Sequence, residues 1–113
     1  MRVLESSLAD GPVLKPTAGV DHSNASILEE SVQKALRADS GRLLLDLTDC
    51  PYLDSGGLSV LLSAVRDVRE KGWLGVIAPS ANLLRLFEIV GLTAAPGFRV
   101  FFDPDEAMVA LEG

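Results

Sequence analysis

The hydrophobic pattern divides the chain into short apolar runs separated by longer stretches of helical spacing. Leu43-Leu44-Leu45-Asp46-Leu47 is a nearly unbroken apolar run, as expected of a central strand with cover on both faces. After a loop from Thr48 to Leu53, apolar residues recur at Leu58, Leu61, Leu62, Val65 and Val68. That spacing predicts one buried face of a helix over residues 55–71, with Gly72 as its C-terminal cap. Residues 73–78 form a second apolar run and predict a strand beside the first. A strand–helix–strand unit this compact predicts parallel pairing and a right-handed crossover.

The same reading extends outward in both directions. Residues 2–8 and 12–18 flank Asp10-Gly11-Pro12 and predict a hairpin whose first, weakly patterned strand is an edge. Asp21-His22-Ser23-Asn24 is rich in helix-capping types. It precedes a helix with Leu28, Val32, Ala35 and Leu36 inward, ending near Asp39-Ser40-Gly41. Glu30 and Lys34 sit one turn apart on its solvent side, in the favourable order.

Beyond the second strand, Pro79-Ser80-Ala81-Asn82 leads into a helix through Val90, with Gly91 as its cap and Leu92 folding back. Residues 93–97 read as a loop and 98–102 as a last strand. Asp103-Pro104 then opens a closing helix with Ala107, Met108 and Leu111 inward. The order β-β-α-β-α-β-α-β-α predicts an α/β fold: one domain over residues 1–113, with a mixed, mostly parallel sheet of four to five strands packed by four helices.

Composition narrows the function. The chain has 113 residues with ten basic and sixteen acidic side chains, for a net charge of −6. The basic residues are scattered, so neither a nucleic-acid duplex nor direct binding to an anionic membrane is expected. No apolar run reaches the ~18 residues needed to span a bilayer, and the N-terminus lacks the apolar core of a signal peptide. The single cysteine, Cys50, permits no internal disulfide. A cytoplasmic location is the default expectation.

The chemistry-bearing stretch is Asp54-Ser55-Gly56-Gly57-Leu58, at a strand–loop–helix junction where open α/β sheets place their sites. A helix start carries free N–H groups and partial positive charge. Ser55 has two readings: it, or Asp54, caps the helix, or it accepts a phosphoryl group. Gly56-Gly57 is either an anion cradle or a close approach of backbone to its neighbours, Gly56 making a flat surface for a docked partner. Asp46, Asp49 and Asp54 cluster in sequence, but their spacing matches no metal-ligand motif and reads as solvated loop carboxylates. His22 reads as a surface histidine, Cys50 as a buried apolar residue and Trp73 as core. The helix over residues 82–90 is apolar around most of its circumference. It is therefore either deeply buried or an exposed contact patch beside Ser55.

The motif and its surroundings resemble the STAS domain family of anti-sigma factor antagonists. The resemblance runs from about Val13 to Leu111 through Asp46-Leu47, Asp54-Ser55, Gly57-Leu58, Pro79-Ser80 and Gly91-Leu92, with Asp21-His22 before the first helix. It implies a non-catalytic interaction module that binds a kinase-like anti-sigma factor and relieves inhibition of a sigma factor. The partner would hold the ATP, and this chain would need no cofactor and form at most a weak homodimer. The implied docking residues are Asp21, Asp54, Ser55, Gly56, Gly57, Leu58, Pro79, Ser80, Ala81 and Asn82. In that family the phosphorylated Ser or Thr directly precedes the Gly-Leu pair. Gly56 stands there in this chain, so control by phosphate at that position is absent and Ser55 is the remaining candidate. The alternatives are a STAS subunit of a lipid transporter or stress-signalling complex and, behind it, a small serine hydrolase using Ser55.

Overall fold

A computed structural model describes residues 1–9, 11–38, 41–68 and 72–112. The elements follow the expected order: β1 (Val3–Leu8), β2 (Gly11–Pro16), α1 (Ala25–Ala38), β3 (Arg42–Asp46), α2 (Ser55–Val68), β4 (Trp73–Ile77), α3 (Ala81–Ile89), β5 (Phe98–Phe101) and α4 (Pro104–Glu112). A short 3₁₀ turn, Leu92–Ala94, follows α3. The strands lie side by side in chain order as one five-stranded sheet. β1 and β2 pair antiparallel, from Val3 opposite Pro16 to Leu8 opposite Gly11, and the other neighbours pair in parallel.

Each parallel crossover moves one strand over in the same direction, which places α1, α2 and α3 on one face. Leu14, Leu43, Leu45, Leu74, Val76 and Phe98 point into that layer, and α4 covers Val13, Leu44, Trp73, Ile77 and Phe101 on the other. The unbroken apolar run of β3 is thereby explained: Leu43 and Leu45 serve one core and Leu44 the other. All five residues of β4 are buried for the same reason. β1 is the weakly buried edge that its pattern predicts.

Several local expectations shift. The hairpin turn falls on Ala9, with φ 47°, and Gly11 already pairs in β2; Asp10 lies outside the described residues. Lys34 reaches across to Glu5 on β1 at 3.8 Å, where the sequence suggested Glu30. Residues 39–40 and 69–71, at the expected ends of two helices, lie outside the described residues. The Gly72 N–H donates to the Val68 carbonyl at 2.8 Å, closing the last turn of α2. A Cβ on Gly72 would stand 1.6 Å from the Gly41 carbonyl oxygen, so close approach requires the glycine. Gly91, with φ 84°, is the left-handed cap expected of it, and Leu92 is buried behind it.

Candidate functional site

β2, β3 and β4 run parallel, so the segments leaving their C-terminal ends emerge together. An isolated parallel bridge joins two of these segments, Val20 to Leu53. The Val20 N–H donates to the Tyr52 carbonyl and the Asp54 N–H to the Val20 carbonyl, both at 3.0 Å. Asp21 and Asp54, far apart in sequence, are thereby set side by side.

Asp54 is the N-cap of α2. One carboxylate oxygen, Oδ1, accepts from the Gly56 N–H at 2.8 Å and the Gly57 N–H at 3.2 Å. The other, Oδ2, accepts from the His22 N–H at 3.2 Å and faces His22 Nε2 at 3.6 Å. Capping therefore falls to Asp54, and Ser55, the first helical residue, is left exposed. Among the described residues its hydroxyl makes no hydrogen bond, while its carbonyl accepts from the Ser59 hydroxyl at 2.8 Å. His22 is engaged with Asp54, with its side chain 78% exposed.

The two glycines have different reasons to be there. A Cβ on Gly57 would stand 3.0 Å from Leu53 Cδ2 and 3.0 Å from Val20 Cβ, so the first turn of α2 lies directly against the bridge. Gly57 is buried accordingly. A Cβ on Gly56 would meet the His22 Nδ1 atom at 3.1 Å and Asp54 Oδ1 at 3.2 Å, the first of them on an exposed side chain. Leu58 is half-buried against the main core, leaving Ser55 with the half-exposed Asp54 and Gly56 as the presented part of the motif.

The loop before α1 is held by its own polar groups. Asp21 Oδ1 accepts from the Ser23 hydroxyl at 2.5 Å and the Ser23 N–H at 2.8 Å. These bonds, the hydroxyl's first, hold the Asp21 carboxyl below its ordinary value despite some opposing desolvation. The Tyr52 hydroxyl donates to Asp21 Oδ2 at 3.4 Å, and the charge of Asp21 pushes the phenol above its ordinary value. The Tyr52 ring lies over Gly19, whose added Cβ would stand 2.1 Å from the ring. Tyr52 and the Val20–Leu53 bridge escaped sequence reasoning. Both bridged segments carry an apolar residue before an aspartate, Val20-Asp21 and Leu53-Asp54, but so do Leu45-Asp46 and Phe102-Asp103, so that pattern does not mark the pairing.

The third segment, after β4, begins at Ala78 with φ 53°. Ser80 caps α3, accepting the Leu83 N–H at 3.2 Å, with Pro79 half-buried and Ser80, Ala81 and Asn82 exposed. A groove of about 480 Å³ lined by Thr48, Asp49, Pro51, Ala78 and Ser80 lies between this segment and the loop after β3. Within α3, Leu83 and Phe87 are buried whereas Ile89 is 72% exposed. Its apolar circumference thus divides between core and surface, and the exposed part sits at the helix end.

The remaining sequence candidates separate. Asp46 accepts from the N–H and hydroxyl of Thr48 at 3.0 and 2.6 Å, and Asp49 pairs with Lys15 at 3.4 Å. Neither joins Asp54, and no cluster of His, Cys, Asp or Glu among the described residues is placed to hold a metal ion. Cys50 is buried, and burial pushes its thiol above the ordinary value. No helix among the described residues is long and apolar enough to cross a membrane.

Comparison with known proteins gives this geometry a context. The family model described as "Mlab, STAS domain" matches residues 5–100, from β1 into β5. The anti-sigma-B factor antagonist of Listeria monocytogenes is 33% identical over 75 residues, covering 66% of this chain and 66% of that protein. This chain therefore spans just under two thirds of the length of that relative. The anti-sigma-F factor antagonist RsfB of Mycobacterium tuberculosis is 26% identical over 101 residues, 89% of this chain and 81% of that protein. A crystal structure of an anti-sigma factor antagonist from Mycobacterium paratuberculosis superposes with a TM-score of 0.85 at 24% identity, covering 98% of this chain and 93% of that one. The family match spans most of the chain and the fold is shared with that structure: the chain belongs to the STAS domain family.

Proposed function

We propose that this chain is an anti-sigma factor antagonist, a non-catalytic module that binds a kinase-like anti-sigma factor. Its docking surface is the Asp54–Leu58 helix start, with Asp21 beside it and the Pro79–Asn82 turn leaving the same end of the sheet. The observation that carries the reading is the Val20–Leu53 bridge, which holds the exposed Ser55 start of α2 next to the Asp21 loop. A phosphoryl group at this start would add ~−1.5 to −2 charges. Desolvating that charge in an interface costs more than the helix dipole returns. With glycine at position 56, binding escapes control by phosphate at the position before Gly57-Leu58, and Ser55 is the one hydroxyl in the Asp54–Leu58 motif. The hydrolase alternative loses support because His22 faces Asp54 and makes no hydrogen bond to Ser55 among the described residues.

Affinity capture on the purified chain is expected to recover an ATP-binding anti-sigma protein, with capture lost for Ser55→Asp. Recovery of a transporter ATPase or a stress-signalling complex would replace this reading with the corresponding STAS-subunit role. Incubation with the captured kinase and ATP is expected to label Gly56→Ser and not the unaltered chain. Phosphate mapped to Ser55 of the unaltered chain would move the switch to that residue.

A further inference from the structure

A groove of about 590 Å³ runs between the outward face of α2 and the turn after α3, lined by Leu62, Val65, Arg66, Val90, Leu92 and Pro96. Its floor is buried, with Leu92 only 2% exposed, while Leu62 and Val90 form walls 42% and 40% exposed. Its volume falls within the ~300–1,000 Å³ of small-molecule sites, which are mostly apolar with a few placed polar groups. The polar side chains here are Ser59 and Arg66, on the same face of α2 as Leu62. In a chain with sixteen acidic residues, no carboxylate among the described residues lines this groove, and Arg66 is the charged side chain among those that do. Among the described residues Arg66 makes no ion pair.

We propose that this groove binds a medium-chain fatty acid, the acyl chain lying on Val65 and Leu92 between Leu62 and Val90 and the carboxylate meeting the Arg66 guanidinium. An apolar trough with a cation on its lining, Arg66, unpaired among the described residues, complements an anionic amphiphile. A second copy fits less well. A two-fold contact would set Arg66 against the same patch of its mate, and each chain carries a net charge of −6. A peptide segment would place main-chain N–H and C=O groups against walls with few partners for them. The inference is independent of the anti-sigma reading, because it concerns binding by the isolated chain.

Titration with sodium decanoate below its micelle concentration, followed by amide resonances, tests it. Saturable shifts confined to α2, the end of α3 and the following turn are expected. Octanoate should bind up to about fifteenfold more weakly. Arg66→Gln should weaken decanoate at least fivefold and leave decanol unchanged, whereas Leu62→Glu should abolish decanoate binding in a chain that keeps its dispersed spectrum. Absent or non-saturating shifts, or equal decanoate affinity in Arg66→Gln, would overturn the proposal. So would ligand-free shifts of the same residues that grow with protein concentration, which would assign the groove to a second copy.

Discussion

The starts of α2 and α3 leave the same end of the sheet, and each is capped by a polar side chain. Their supports differ. Asp54 satisfies two N–H groups of its own helix and a third from His22, and the turn behind it is wedged under Val20 through Gly57. Ser80 satisfies one N–H, that of Leu83. The start of α2 is thus fixed by a neighbouring segment, whereas the cap of α3 is a local bond. A surface meant to be recognised by another macromolecule benefits from the first kind of support, because less ordering remains to be done on binding.

Substitutions can break this contrast in a graded way. The largest effect is expected from Gly57→Val, which drives a branched side chain into Val20 and Leu53. Denaturant unfolding should show a loss of about 2–3 kcal/mol, in the range of overpacked cores. Asp54→Ala should cost about 1–2 kcal/mol, because it removes the cap and the link to His22 together. Ser80→Ala should cost about 0.5–1 kcal/mol, the ordinary range for a single cap bond. Should the two cap deletions prove equal, the idea that α2 has additional support would fail.

Asp21 gives a smaller, pH-dependent effect. Its folded carboxyl sits below its ordinary value, so on acidification the unfolded chain takes up the proton first. Its contribution is complete above about pH 4 and fades as pH falls through the lower folded value. Thermal melts of Asp21→Asn should therefore fall below those of the unaltered chain at neutral pH and converge with them in acid. The least effect belongs to Gly56→Ser. His22 can move aside, and replacing a helical glycine returns up to about 0.5–1 kcal/mol, so stability should stay level or rise slightly. A large loss there would mean that the fold, and not the surface, demands this glycine.

Much of this was legible in the chain. The run at Leu43–Leu45 announces a strand covered on both faces, the spacing from Leu58 to Val68 announces α2, and Gly91-Leu92 marks the end of α3. Asp103 and Pro104 likewise announce α4: Asp103 accepts the Glu106 N–H at 2.9 Å while the Glu106 carboxylate accepts from Phe102 at 3.2 Å. The candidate motif was visible too, but not the roles within it. Nothing local distinguishes Gly56 from Gly57, or says whether Asp54 or Ser55 is the cap.

The sequence by itself determined the element order, the two-faced core and the position of the Asp54–Leu58 junction, because periodicity and turn chemistry act over a few residues. Tertiary structure decided that Val20 pairs with Leu53, that Gly72 is required by the Gly41 carbonyl, and that Ile89 faces solvent while Phe87 is buried. Those outcomes depend on which distant backbone arrives within a few ångströms. Packing of the whole chain sets that distance, and no local pattern encodes it.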